Sequence, residues 1–229
     1  MGDIPMYTVI KSVVCQKAKI IARCLTKPGQ PGIILEVLTL EPLRRVQSHS
    51  MPIWNSNELI MHVSPNLAVF AQESHAILMQ PSEEERACWT MTPLDVSEPI
   101  QVVVGGDEGR HVCVATDKGV QIIRCLDLTM MLSIACHNIT QLFFRAKYDE
   151  MHGYLMLLTY LTDEGIVTSV NVDENWECSN SISPTHGCLK CAGQLCTRLM
   201  QDVKNDAFFL AVHDHSQTCT FFFHQAGMV

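Results

Sequence analysis

The sequence predicts an all-β chain assembled from about five repeated four-stranded antiparallel units. Three observations point there. Short runs rich in β-branched and aromatic residues are bounded by Gly, Pro, Asn and Asp, which is how strands and their turns are written. Helical periodicity is nearly absent; only "LKCAGQLCTRLMQ" (189–201) reads as a plausible helix. A hairpin phrase also recurs, since "ATDKGVQIIRC" (115–125) and "LTDEGIVTSV" (161–170) place Thr-Asp-x-Gly and an apolar residue 46 positions apart.

In chain order, the expected strands begin with "YTVIKSVVC" (7–15), "KIIARCL" (19–25) and "GIILEVLTL" (32–40). They continue through "ELIMHV" (58–63), "LAVFA" (67–71), "HAILMQ" (75–80), "IQVVV" (100–104), "HVCVAT" (111–116) and "GVQIIRC" (119–125). The last are "YLMLLTYL" (154–161), "GIVTSVNV" (165–172), "AFFLAVH" (207–213) and "CTFFFH" (219–224). Two more polar stretches, "EEERACWTM" (83–91) and "DENWECSNSI" (173–182), suit outermost strands that face water. Taking the turn between two apolar strands as a marker gives Glu73, Asp117, Asp163 and Asp214, separated by 44, 46 and 51 residues. A fifth apolar–turn–apolar phrase surrounds Lys27–Gly32. At these turns Asp is expected to bond nearby backbone and Gly to take a positive φ. Asp117 and Gly119 are thus read as turn formers and not as chemistry.

A period of roughly 45 residues is the length of a four-stranded propeller blade. Strands apolar on both faces suit sheets sandwiched between other sheets. In period, hairpin phrase and strand order, residues 19 to 224 resemble WD40-type blades. That resemblance implies a propeller-like scaffold for protein contacts, without an active site. Its signature dipeptides are missing: no Gly-His opens a unit, and Trp54, Trp89 and Trp176 are followed by Asn55, Thr90 and Glu177. The family's His–Asp network is therefore not carried over. Residues 1–229 are expected to form a single propeller-like domain, complete or as part of a longer ring, with a β-sandwich or barrel as the alternative.

Composition narrows the function. The net charge of −8, from 16 basic and 24 acidic residues, repels phosphate backbones, so no direct nucleic-acid binding is expected. The 3 Trp, 4 Tyr and 8 Phe are not interleaved with Lys or Arg, which leaves no stacking platform in view. The start "MGDIPMYTVI" lacks a basic segment followed by a long apolar run, and "YLMLLTYL" is far short of a membrane span, so an intracellular protein, cytoplasmic or nuclear, is expected. The 11 cysteines mostly sit in apolar strands, where a free thiol acts as a small hydrophobe, and an odd count argues against a disulfide framework.

One cluster offers different chemistry. "HGCLKCAGQLC" holds His186, Cys188, Cys191 and Cys196, and Cys-x2-Cys is a zinc-ligand spacing. Cys178, His213 and His215 are more distant candidates. No second paired motif closes a tetrahedral site, so ordinary thiols are the expectation and a zinc-stabilised module on Cys188, Cys191 and Cys196 the alternative. "VVVGGDEGRH" (102–111) matches no nucleotide-binding pattern and reads as a loop between strands. His111 and His137 flank apolar strands and read as structural. The run "SEEER" (82–86) reads as a solvated hairpin. The sequence thus points to a chain that is not an enzyme. It names no catalytic, cofactor or metal residue, no cofactor and no small-molecule substrate. Its partners would be other proteins, in a stable complex.

Overall fold

The computed structural model describes residues 7–82, 88–106, 108–149, 153–163, 167–172, 175–182, 196–202, 207–213 and 219–225. Among these, the chain forms nineteen strands and no α-helix. The first sheet comprises β1 (Thr8–Cys15), β2 (Ile20–Thr26), β3 (Ile33–Leu40) and β4 (Leu43–Met51). The second comprises β5 (Ile60–Ser64), β6 (Leu67–Gln72), β7 (His75–Pro81) and β8 (Trp89–Asp95). The third comprises β9 (Val102–Gly105), β10 (His111–Thr116), β11 (Gly119–Arg124) and β12 (Met130–Ala135). The fourth holds β13 (Ile139–Asp149), β14 (Gly153–Thr162), β15 (Val167–Val172) and β16 (Cys178–Ile182); the fifth holds β17 (Cys196–Asp202), β18 (Ala207–His213) and β19 (Cys219–Gln225).

Every sheet is an antiparallel meander in which each strand pairs with its neighbours in the chain. The recurring phrase marks the same place in four of them: Lys27–Gly32, Glu73, Asp117 and Asp163 all fall between the second and third strands of their sheets, while Asp214, which follows β18 in the chain, lies outside the described residues. The repeat read from sequence is therefore a repeat of sheets, and these meanders are compatible with propeller-like blades.

The chain divides into two compact units, Met1–Cys136 with the first three sheets and His137–Val229 with the last two. In the first unit the sheets stack face on face. Ile20, Ala22, Cys24, Leu35 and Val37 of the first sheet meet Val63, Ala68, Phe70 and Met79 of the second. The opposite face of the second sheet, with Leu67, Val69, Ala71 and Leu78, meets Val103, Val112, Val114 and Ile123 of the third. Side chains alternate across a strand, so β6 must be apolar at every position to serve both layers, and "LAVFA" is. β5 lies beside both β1 and β9, so the first strands of the three sheets neighbour one another.

The β10–β11 hairpin refines the turn chemistry. Thr116 pairs with Gly119, leaving Asp117 and Lys118 as the two-residue loop. Gly119 has φ +143°, and a Cβ there would sit 2.0 Å from the Ile134 carbonyl oxygen of β12. The Asp117 carboxylate accepts a hydrogen bond from the Gln101 side-chain amide, while the Thr116 hydroxyl oxygen accepts from the Lys118 N–H at 3.3 Å. Threonine thus ties the turn, and Asp117 ties the hairpin to the segment entering β9. In the second sheet Glu73 occupies the corresponding two-residue loop with φ +53°, without glycine.

The expected helix over 189–201 is corrected. Residues 196–202 are β17, paired with β18 along its whole length, and 189–195 lie outside the described residues. Cross-strand pairing overrides the helix-like pattern there. Of the two polar stretches, "DENWECSNSI" contains β16 and "EEERACWTM" ends in the start of β8; residues 83–87 lie outside the described set.

One charged group is buried within the first sheet. Glu36 lies on the face of β3 opposite Leu35 and Val37, with its side chain only 5% exposed. The Arg23 guanidinium donates to Glu36 Oε2 from Nε at 2.8 Å and Nη2 at 2.7 Å, and Arg45 Nη1 reaches Oε1 at 3.3 Å. The register places Arg23 directly opposite Glu36, which is why the pair forms.

Candidate functional site

A cleft of about 880 Å³ opens at one end of the second and third sheets. In an up-and-down meander the first and third links share one end, and those links build this cleft. The β5–β6 turn supplies Asn66, and the end of β7 supplies Gln80 and Pro81 with Ser82 following. The β9–β10 loop supplies Glu108, Gly109, Arg110 and, at the strand start, His111. The β11–β12 turn supplies Arg124, Cys125 and Leu126, and Thr90 of β8 completes the wall.

The glycine-rich stretch connects β9 and β10, as expected of a loop between strands, and its described residues are tied to their neighbours. Gly109 has φ +73°, and a Cβ there would stand 2.6 Å from the Asn66 carbonyl oxygen, so only glycine lets the loop lie on the β5–β6 turn. The Gly109 carbonyl accepts from Gln80 Nε2 at 2.6 Å, and the Gly106 carbonyl accepts from Ser64 Oγ at 3.2 Å. The Gly106 N–H donates to the His111 carbonyl at 2.9 Å, and the Cys125 N–H donates to the Arg110 carbonyl at 2.8 Å. Two backbone and two side-chain bonds therefore tie the end of β5, the end of β7, the β9–β10 loop and the β11–β12 turn into one wall.

The charges are arranged around a nearly buried imidazole. His111 is 9% exposed. Burial is the main cause of its lowered pKa, Arg110 and Arg124 lower it further, and Glu108 only partly opposes them. The imidazole is thus neutral near pH 7, under a net positive field. Arg124 clasps Asp127 from Nε at 2.9 Å and Nη2 at 2.6 Å, and the Asp127 carboxyl is held well below the usual carboxylate range chiefly by that hydrogen bonding. Arg110 Nε lies 3.5 Å from Glu108 Oε2, a looser contact. Leu126 is 86% exposed on the rim.

Sequence reading reached His111 and the glycine loop but not Arg110, Arg124 or Leu126. The β10–β11 register, which sets His111 opposite Arg124, gathers these three at one end of the third sheet, and stacking on the second sheet adds Asn66 and Gln80; no local spacing announces the result. His137 is exposed ahead of β13 and takes no part in the cleft. His186, Cys188 and Cys191 lie outside the described residues, as does His215; Cys196 opens β17, Cys178 opens β16 and His213 ends β18. Among the described residues, no group of three His, Cys, Asp or Glu side chains is placed to hold a metal ion. Nor is any helix there long and apolar enough to cross a membrane.

The described thiols behave as apolar core groups. Cys24, Cys113 and Cys125 are buried, whereas Cys88 is exposed. Burial pushes the Cys24 thiol up to about 11, with Lys11 opposing, and the Cys125 thiol up to about 12. Cys113 is raised well above its ordinary value of 9.0, mainly by burial. The fold therefore favours the neutral thiol. Stability from this source is complete below about pH 9 and falls as pH rises toward 11 to 12, because the unfolded chain ionises first. Urea midpoints should drop across that window, and Cys113→Ala/Cys125→Ala should flatten the drop. Iodoacetamide, followed by peptide mass mapping, should modify Cys88 well before Cys24, Cys113 or Cys125 in the folded protein.

Fold and cleft together define a chain whose described residues form all-β, blade-like meanders, the first three stacked, with a charged cleft between two of these. No family model matches the chain, and no curated protein matches it. No WD40 family is thereby identified, and what the sheets support is compatibility with propeller-like blades. Among solved structures, it is similar to "Dihydro-heme d1 dehydrogenase NirN in complex with DHE", with a TM-score of 0.55 and 10% identity over 96% of this chain and 48% of that one. It also matches "Kuenenia stuttgartiensis Hydrazine Synthase", with a TM-score of 0.48 and 9% identity over 82% of this chain and 52% of that one. The chain thus spans about half the length of these structures. The expectation that it is not an enzyme is corrected by the first of these: a protein named as a dehydrogenase shares the likeness, so the architecture does not set the chain apart from enzymes.

Proposed function

We propose that this chain is a propeller-type binding domain that works as one subunit of a larger protein assembly. Its ring would be completed by further blade-like sheets, from another chain or from a longer parent protein. The supporting observation is strand β1. In the second and third sheets the first strands are largely covered, with Val63 and Ser64 of β5 and Val103 and Gly105 of β9 buried. In β1, Val9, Ile10 and Val14 are about half exposed, and Tyr7 beside them is too. An apolar row on an edge strand is an association hazard for a free protein and ordinary at a contact surface. The net charge of −8 favours a protein partner over nucleic acid.

The test compares the wild-type chain with Val9→Asp/Val14→Asp, whose sites are open enough for the sheet to tolerate the change. The wild type is expected to co-purify with a stoichiometric partner that withstands high salt, because apolar contacts are not screened. The variant should lose that partner while keeping its thermal midpoint. A wild-type chain that sediments as a monodisperse monomer, with no stoichiometric partner from its own cells, sinks the reading.

A further inference from the structure

We propose that the cleft between the second and third sheets binds an extended acidic peptide segment, with Arg110 and Arg124 taking its carboxylates and Leu126 its apolar side chain. The inference rests on reading the chain as a protein-binding domain, but it concerns a surface separate from β1.

Geometry and charge both support this occupant. The volume, about 880 Å³, falls in the usual range of ligand pockets and exceeds what a lone ion needs. Two guanidiniums from different turns converge on it, in a chain whose overall charge is −8. The Arg124–Asp127 clasp shows the fork of this arginine already taking a carboxylate in two-point fashion. Arg110 makes a longer contact, to Glu108 at 3.5 Å. At the floor, the neutral imidazole of His111 sits under the field of both arginines, so a negative group arriving there is stabilised. The amide of Asn66 and the hydroxyl of Thr90 present the donors and acceptors a peptide backbone uses, while Leu126 offers an exposed apolar contact at the rim. Among the described residues no Phe, Tyr or Trp lines the cleft, which disfavours a nucleobase.

Asp127 then acts as an internal competitor. Its carboxylate holds Arg124 until a ligand carboxylate displaces it, so removing its charge should strengthen binding.

The experiment is fluorescence anisotropy on the full chain with a labelled peptide of alternating leucine and glutamate, against a counterpart with lysine in place of glutamate. The acidic peptide is expected to bind and the basic one not. Arg110→Gln and Arg124→Gln should each weaken binding about tenfold, the scale of a lost charge-assisted pair. Leu126→Ser should weaken it several-fold and Asp127→Asn should tighten it several-fold, with thermal midpoints recorded for each variant. Equal binding of both peptides overturns the proposal. So does wild-type affinity in folded Arg110→Gln and Leu126→Ser proteins. Full displacement by inorganic phosphate, with the same arginine dependence, would make this a small-anion site and also overturn it. If an arginine variant fails to fold, Leu126→Ser decides, since its side chain supports nothing in the core. Failure here leaves co-purification through β1 untouched, whereas failure of the subunit reading would show in the Val9→Asp/Val14→Asp comparison and leave peptide binding intact.

Discussion

Gly119→Ala is expected to destabilise the chain by about 4 kcal/mol, enough to erase much of the margin of an ordinary domain. The residue opens β11 at φ +143°, where an L-amino acid is strained in any surroundings. More decisively, the added Cβ would stand 2.0 Å from the Ile134 carbonyl oxygen and 3.0 Å from its carbon. Ile134 is paired with Val120 in the neighbouring strand, so the clash cannot be relieved by a side-chain rotation. Either β12 is pushed off β11 or the hairpin distorts. Gly29→Ala isolates the backbone contribution, since Gly29 also has positive φ, +75°, but nothing lies within 4 Å of the new Cβ. That control should cost only about 1 kcal/mol. Urea denaturation of the two variants tests the claim, and equal losses would refute the steric part of it.

Arg23→Leu is expected to cost about 3 kcal/mol, and Glu36→Leu markedly less. The asymmetry follows from where the two charges end. Glu36 is 5% exposed, so losing Arg23 strands a carboxylate that only Arg45, at 3.3 Å, still touches. Arg23 is 33% exposed and can turn its guanidinium toward water when Glu36 is removed. The double variant Arg23→Leu/Glu36→Leu should recover much of the loss, because replacing a buried ion pair by apolar groups is often close to neutral. Denaturation midpoints for the single and double variants give the coupling directly. Equal costs for the two single variants would mean that Glu36 is better hydrated than its burial indicates.

What the sequence disclosed depended on how far each signal is local. β10 coincides with the run "HVCVAT", because a strand buried at every position is predominantly apolar and bounded by turn residues, and β18 coincides with "AFFLAVH". β4, "LRRVQSHSM", and β12, "MMLSIA", were not foreseen. Both are outer strands, largely half-buried or exposed, so their residues are chosen by pairing to one neighbour and carry no apolar rhythm. β13 was likewise unmarked, since "ITQLFFRAKYD" mixes charge with its apolar residues. Spacing of the hairpin phrase disclosed the repeat, while the part played by Thr116 in the turn did not show in it. The cleft was illegible for a deeper reason. Arg110 and Arg124 meet through the β10–β11 register, which sets His111 opposite Arg124, but Asn66 and Gln80 belong to another sheet, so closing the cleft is a property of stacking.

The meander order has a consequence for how the first unit folds. Because every strand pairs with the strand just before or after it in the chain, each sheet can zip up from local contacts with little loop-closure entropy. Burial is not local in the same way. The second sheet needs Ile20–Val37 on one face and Ile100–Cys125 on the other before its core is dry. Hydrogen-bonded sheets should therefore form early and wait with sticky faces, and docking of the third sheet would be the step that commits the unit. A nascent chain paused after Asp95 would display the apolar face of Leu67, Val69 and Leu78 to chaperones, and one that has passed Cys125 would not.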